Sequence, residues 1–183
     1  MNDTIKGLEK QILELKGQLA EARKETEPEP VENYSFATVD GAKSLDEMFA
    51  GMDDMLVIHN MGKSCNYCSM WADGIDGYFP HLAGRAAVVL ISPDDPATQR
   101  TFAEERGWRF PTASDADGGF TRKMGFLNDT DGYWPGVSAL HKAEDGSITR
   151  KNYAIFGPGD DFCPVWPLLE LLQDGQKGWE PPH

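Results

Sequence analysis

From residue 4 to residue 25 the apolar side chains fall at Ile5, Leu8, Ile12, Leu15, Leu19 and Ala22. Alternating steps of three and four make a heptad a/d seam, with Glu9, Lys16 and Arg23 at e. The pattern predicts an amphipathic helix and leaves two readings open. The helix can lie on the protein's own domain, or residues 4–25 can pair two copies as a short coiled-coil homodimer. Gly7 and Gly17 sit on the outer face, and each weakens the helix by about 1 kcal/mol relative to Ala. Glu27-Pro28-Glu29-Pro30 ends the helix and reads as a stiff, charged linker. Three parts are therefore expected: a helix over 1–27, a linker over 28–32 and a folded domain over 33–183.

Beyond the linker the periodicity changes. Tyr34–Val39 alternates like a strand and stops at the turn signal Asp40-Gly41. Ser44 and Glu47 fit a capping box that opens a short helix ending near Gly51. Met55–Asn60 reads as a strand, followed by a Gly-containing loop and a helix, which Gly74 and Gly77 are expected to break or kink before Tyr78. Ala86–Ile91 is an unbroken apolar run, suited to a strand buried on both faces of a parallel sheet. Asp95-Pro96 supplies an N-cap and a Pro at N1 for a helix to Arg106. Gly107 and Trp108 then suit a Schellman ending. A short strand is expected at Phe110–Ala113 and a helical turn at Phe120–Met124. Val137–His141 and Ile148–Ile155 form a hairpin around Glu144-Asp145-Gly146, and a last helix covers Val165–Gln173. The order implies an α/β fold with a central mixed sheet flanked by helices.

Charge and composition narrow the class. The 183-residue chain is 40% hydrophobic, enough for a real core, and carries a formal charge of −13. No basic stripe is present to displace counterions, so neither nucleic acid nor an anionic membrane surface is an expected partner. There is no apolar run of membrane-spanning length and no signal-peptide pattern at the N-terminus. Only three cysteines occur, Cys65, Cys68 and Cys163, unlike a secreted disulfide framework. The expected compartment is the cytoplasm.

The chemistry concentrates where the Met55–Asn60 strand meets its helix. Cys65 and Cys68 form a Cys-x-x-Cys pair at the helix start, where the dipole and unpaired N–H groups favour a thiolate. Cys65, nearer the helix end, is the expected nucleophile, and Cys68, one turn further in, is the resolving thiol. No cofactor is needed beyond that redox-active disulfide, and the partner is a protein or small-molecule thiol or disulfide. Two inert structural cysteines, or half of a zinc site completed by Cys163, His59, His81 or His141, are the alternatives. Lys63 can add positive charge beside Cys65, although a solvated surface lysine is the plain reading. His59, six residues before Cys65, can take a proton from Cys68 or serve as a hydrogen-bonded core histidine. Pro135 follows Trp134 at a strand entrance, where an aromatic–Pro bond favours cis; a trans Pro opening a strand is the alternative. Cys163 reads as a packing residue, with a third redox thiol as its alternative.

Several segments together resemble a bacterial family of unknown function, described as thioredoxin-like or as dithiol–disulfide isomerases. They are His59–Gly62, Cys65–Gly74, Ser92–Pro96, Arg106–Phe110, Pro135–Ser138 and Phe156–Cys163. The resemblance runs from about Tyr34 to the end and implies a thioredoxin-like fold within the thioredoxin/peroxiredoxin superfamily. It implies nucleophile and resolving roles for Cys65 and Cys68. It also implies a cis-proline place for Pro135, beside the disulfide and next to backbone that pairs with substrate. The expected activity is dithiol–disulfide oxidoreduction. The sequence departs from thioredoxin in Ser64, Asn66 and Tyr67 around the cysteines, and in His59 where thioredoxins carry an acid. The Phe110–Gly118 segment resembles the peroxiredoxin branch, but Ile58 and Gly62 replace the Pro and Thr of the peroxiredoxin signature. A thiol-dependent peroxidase and a non-enzymatic dimeric binding module remain the other functional readings.

Overall fold

The computed structural model describes residues 2–182. It opens with helix α1 (Asp3–Glu25), capped by the Asn2 side chain accepting from the Thr4 amide. None of its residues is buried, and the seam positions Ile5, Leu8, Ile12, Leu15 and Leu19 are 48–62% exposed. From Ile5 to Leu15 the seam therefore does not lie on the rest of the described chain, and only Leu19 borders a groove beside Tyr153 and Ile155. Contact with the body runs instead through Lys16, whose ammonium meets Asp161 at 2.6 Å, and through the Arg23 carbonyl, which accepts from Asn152.

The segment read as a linker is partly strand. β1 (Glu29–Val31) pairs antiparallel with Arg150–Ile148, and Arg150 reaches the Glu29 carboxylate at 2.6 Å. Pro30 is tolerated because β1 is an edge strand. β2 (Ser35–Thr38) turns at Asp40-Gly41 into β3 (Gly41–Ser44), whose last residue caps α2 (Leu45–Met48). Both bonds of the capping box are present between Ser44 and Glu47.

β4 (Asp54–His59), α3 (Asn66–Leu82), β5 (Ala87–Ser92), α4 (Pro96–Arg106) and β6 (Thr112–Ser114) form two successive parallel crossovers. α3 passes through Gly74 and Gly77 without the expected break, because Trp71, Ala72 and Ile75 anchor its inner face in the core. α4 is built as its local sequence dictates. Asp95 accepts the Ala97 and Thr98 amides, Gly107 is left-handed, and Trp108 N–H returns to the Ala103 carbonyl. α5 (Gly119–Lys123), the small ribbon β7 (Leu127–Asn128) and β8 (Gly132–Tyr133), β9 (Gly136–Lys142), β10 (Ile148–Ile155) and α6 (Val165–Glu170) complete the chain.

The main sheet has the order β1-β10-β9-β4-β5-β6-β2-β3. It is mixed, parallel from β4 to β6 and antiparallel outward on both sides. Side-chain alternation divides the core between the two faces of the sheet. Met55, Val57, Val89 and Ile91 join Leu45, Phe49, Phe120 and Phe126 on the face covered by α2 and α5. Ile58, Val88 and Leu90 join Trp71, Ile75, Phe156, Cys163 and Trp166 on the face covered by α3 and α6.

Candidate active site

The loop Asn60–Ser64 carries the chain from β4 to α3, and backbone bonds fix its shape. The Asn60 side chain accepts the Gly62 amide at 2.8 Å, and the Gly62 carbonyl accepts Cys65 N–H at 3.1 Å. Gly62 has φ +103°, a conformation that disfavours a side chain. Asp94, in the loop after β5, accepts the Lys63 amide at 2.7 Å, so a second crossover loop braces the first.

This framing makes Cys65 the N-cap of α3. Its sulfur accepts the backbone N–H of Cys68 at 3.1 Å, in the place of a Ser or Asp oxygen. Cys65 is half-buried, whereas Cys68 is only 2% exposed. The Cys68 thiol donating to the Cys65 sulfur, helped by the Cys68 and Tyr67 amides, lowers the Cys65 pKa to about 7 against an opposing desolvation. That same donated proton, together with burial, pushes the Cys68 thiol up. Cys65 is therefore the more readily ionised of the two thiols.

Cys65 opens onto a groove of about 490 Å³ lined by Met61, Ser64, Asn66, Tyr67, Tyr133, Glu180 and Pro181. Three of these come from distant segments that carry no sequence motif. Tyr133 arrives on β8. Glu180 and Pro181 belong to the C-terminal segment, which is held by Asn66 Nδ2 donating to the Pro181 carbonyl at 3.3 Å. Trp179, just before them, meets Trp166 edge-on at 6.0 Å. A cavity of about 330 Å³ beside α4, bordered by Thr38, Lys43, Arg100 and Trp108, has no cysteine or histidine in its lining.

The other sequence candidates fall elsewhere. His59 shares the parity of Met55 and Val57, so it faces away from α3. It is 2% exposed, stacks on Phe126 at 3.9 Å and holds Ser138 Oγ at 2.9 Å through Nε2, while Nδ1 has no partner. Burial, aided by the positive charge of Arg150, depresses its pKa to about 3. It is a neutral core histidine, bonded to Ser138 and not to Cys68. The Lys63 backbone, rather than its ammonium, makes the bond to Asp94 in the site loop. The Trp134–Pro135 peptide is trans, since no cis bond occurs among the described residues. Trp134 N–H is taken by the Phe126 carbonyl, and the Pro135 carbonyl by Phe156 N–H, so neither group is free to pair with an added strand. Tyr133, not Pro135, lines the groove. Cys163 is buried among Trp71, Phe156 and Trp166, and burial raises its pKa. Among the described residues no three His, Cys, Asp or Glu side chains cluster as a metal site requires.

A family model described as bacterial protein of unknown function (DUF899) matches residues 4–180. The chain belongs to this family. No curated protein matches it. Solved structures with the same architecture include peroxidoxin BcpB of Mycobacterium tuberculosis, 20% identical over 67% of this chain and 82% of that one, with a TM-score of 0.56. A Cys-to-Ser variant of PrxQ from Xylella fastidiosa is 12% identical over 70% and 84%, with a TM-score of 0.60. Reduced Prx3 of Vibrio vulnificus is 17% identical over 73% and 88%, with a TM-score of 0.57. At these identities the likeness establishes the thioredoxin-like fold of this DUF899 protein. No helix among its described residues is long and apolar enough to cross a membrane.

Proposed function

We propose that this protein is a thiol–disulfide oxidoreductase whose redox centre is the Cys65–Cys68 dithiol, acting on protein or small-molecule disulfides. One observation carries the reading. A half-buried thiol caps a helix, accepts the amide of a buried partner cysteine at 3.1 Å, and has its pKa drawn down to about 7, chiefly by that partner's side chain.

The chemistry follows from that pair. The Cys65 thiolate attacks one sulfur of a disulfide R–S–S–R′, R′S⁻ departs and takes a proton, and a Cys65–S–S–R bond forms. Cys65 then carries no charge and no longer holds the Cys68 proton, so the chief cause of the high Cys68 pKa disappears. Cys68 loses its proton, attacks the Cys65 sulfur and releases RSH. Two electrons and two protons have passed to the substrate, and a Cys65–Cys68 disulfide remains for an external thiol reductant to reopen.

The test is alkylation mass spectrometry across a series of redox buffers. A reversible Cys65–Cys68 disulfide, together with disulfide reduction abolished by Cys65→Ser, is expected. Absence of that disulfide at every poise would sink the proposal. The peroxiredoxin architecture favours one second reading, a peroxide in place of the disulfide. Cys65 would then be oxidised to a sulfenic acid with release of an alcohol or water. Cys68 would condense with it, losing water, to the same disulfide. Peroxide turnover that requires Cys65 would favour this reading. Ile58 and Gly62, standing where the peroxiredoxin signature has Pro and Thr, weigh against it.

A further inference from the structure

Among the described residues nothing covers the α1 seam from Ile5 to Leu15. The helix is 23 residues long, about 34 Å at 1.5 Å per residue, and buries none of them against the body. A helix of that length carrying two glycines is marginal in water when nothing packs on its apolar face. The domain does not provide that packing. Lys16, at e, reaches Asp161 with its ammonium, and the Arg23 backbone carbonyl accepts from Asn152; these contacts leave the line Ile5, Leu8, Ile12 and Leu15 clear of the body, while Leu19 borders a groove with Tyr153 and Ile155.

We propose that α1 pairs with α1 of a second copy as a parallel two-stranded coiled coil. The identity of the occupant comes from the seam itself. A spacing of 3.5 residues is matched by a surface with the same repeat, and another α1 carries it. Ile5 and Ile12 stand at a, and Leu8 and Leu15 at d. β-branched a with Leu at d is the combination that favours two parallel strands over three or four. In that register each layer meets its own kind, Ile5 on Ile5 and Leu8 on Leu8. The g positions Gln11 and Gln18 face Lys16 and Arg23 of the other copy, so no like charges meet across the seam. In a two-fold pair the two e flanks lie on opposite sides of the seam, so each body stays on its own side. The pairing is independent of the dithiol chemistry, and neither depends on the other.

Sedimentation velocity on the full chain over a dilution series tests the pairing. The wild type is expected to be a dimer that dissociates on dilution. Leu15→Glu, at an exposed position outside the Cys65 groove, is expected to weaken association by roughly 100-fold or more by placing a charge at the seam centre. It should leave Cys65 alkylation unchanged, which shows that the body is still folded. Leu8→Cys under mild oxidation should close a disulfide with its own counterpart, identified by peptide mapping. A wild type that is monomeric at every concentration overturns the proposal. So does a Leu15→Glu protein that is still dimeric, or a trimer. A dimer in which Leu8→Cys never cross-links overturns the parallel order.

Discussion

The Cys65 sulfur accepts the backbone N–H of Cys68 at 3.1 Å, and the Cys68 thiol is the largest cause of the lowered Cys65 pKa. One residue thus supplies two of the groups that hold the Cys65 charge. Cys68→Ser keeps the amide but puts a hydroxyl in the thiol's place, and Cys68→Ala removes the side-chain donor. Cys68→Ala should therefore raise the Cys65 pKa from about 7 toward its ordinary value. Its alkylation rate by iodoacetamide at pH 7 is expected to fall roughly tenfold, following the thiolate fraction. A pH–rate profile unchanged by Cys68→Ala would show that the helix end alone sets the reactivity.

Asp94 and Gly62 meet across the two crossover loops. A Cβ on Gly62 would lie 3.1 Å from the Asp94 carboxylate oxygens, at a backbone φ of +103°. Gly62→Ala is expected to cost about 1–3 kcal/mol, read as a shift in the urea midpoint. Asp94→Ala, which leaves the exposed Lys63 amide to water, should cost about 0.5–1.5 kcal/mol and slow Cys65 alkylation by loosening the loop. Cys65 kinetics identical to wild type in both variants would remove the bracing role from Asp94.

His59 predicts an acid limb in stability. Its folded pKa is about 3 and its unfolded value about 6.5, so below pH 6.5 the unfolded chain binds the extra proton. Stability from this group is present above pH 6.5 and lost as the pH falls toward 3, at up to about 1.4 kcal/mol per pH unit. Urea titrations between pH 6.5 and 5, above the range where ordinary carboxylates titrate, should show this slope. His59→Phe should flatten it while costing about 1–3 kcal/mol at pH 7, because buried Ser138 loses its partner. Equal slopes in the two proteins would place the acid sensitivity elsewhere.

The C-terminal segment forms one wall of the Cys65 groove through Asn66 and Pro181. Trp179→Ala, which removes its packing on Trp166, should let that wall swing out. The expected signature is selective: a bulky aromatic disulfide reagent should react several-fold faster with Cys65, and a small alkylating agent at an unchanged rate. A uniform change for both reagents would indicate an effect on the thiolate rather than on access.

The elements legible in the sequence are those whose determinants are local. Ser44 with Glu47, and Asp95-Pro96 with Gly107, specify helix ends by bonds spanning a few residues, and both form as expected. The apolar run at Ala86–Ile91 likewise marks a strand buried on both faces. β1 and β3 were not legible, because their hydrogen bonds go to partners that only the fold brings near. Glu29-Pro30 has a linker's composition and becomes a strand because Arg150 and Ile148 lie beside it. Gly74 and Gly77 misled in the opposite direction, since packing of α3 through Trp71 and Ile75 outweighs their poor propensity. At the candidate site the dithiol was legible as a motif, whereas Tyr133, Asp94 and Pro181 were not, being joined to it only by topology. His59 carried two readings, a proton acceptor for Cys68 or a hydrogen-bonded core histidine. Counting in twos from Met55 and Val57 puts it on the other face from α3, where it is the core histidine bonded to Ser138.

The aromatic cluster on the α3 face has a practical consequence. Trp71 follows Cys68 by one helical turn, and its ring lies 6.4 Å from Trp166, which in turn packs against Trp179 and Tyr67. Under the proposed chemistry a disulfide at Cys68 would form beside these rings, and a disulfide quenches nearby indole emission more strongly than a thiol. Intrinsic tryptophan emission should then report the proposed dithiol–disulfide exchange in real time, without a label.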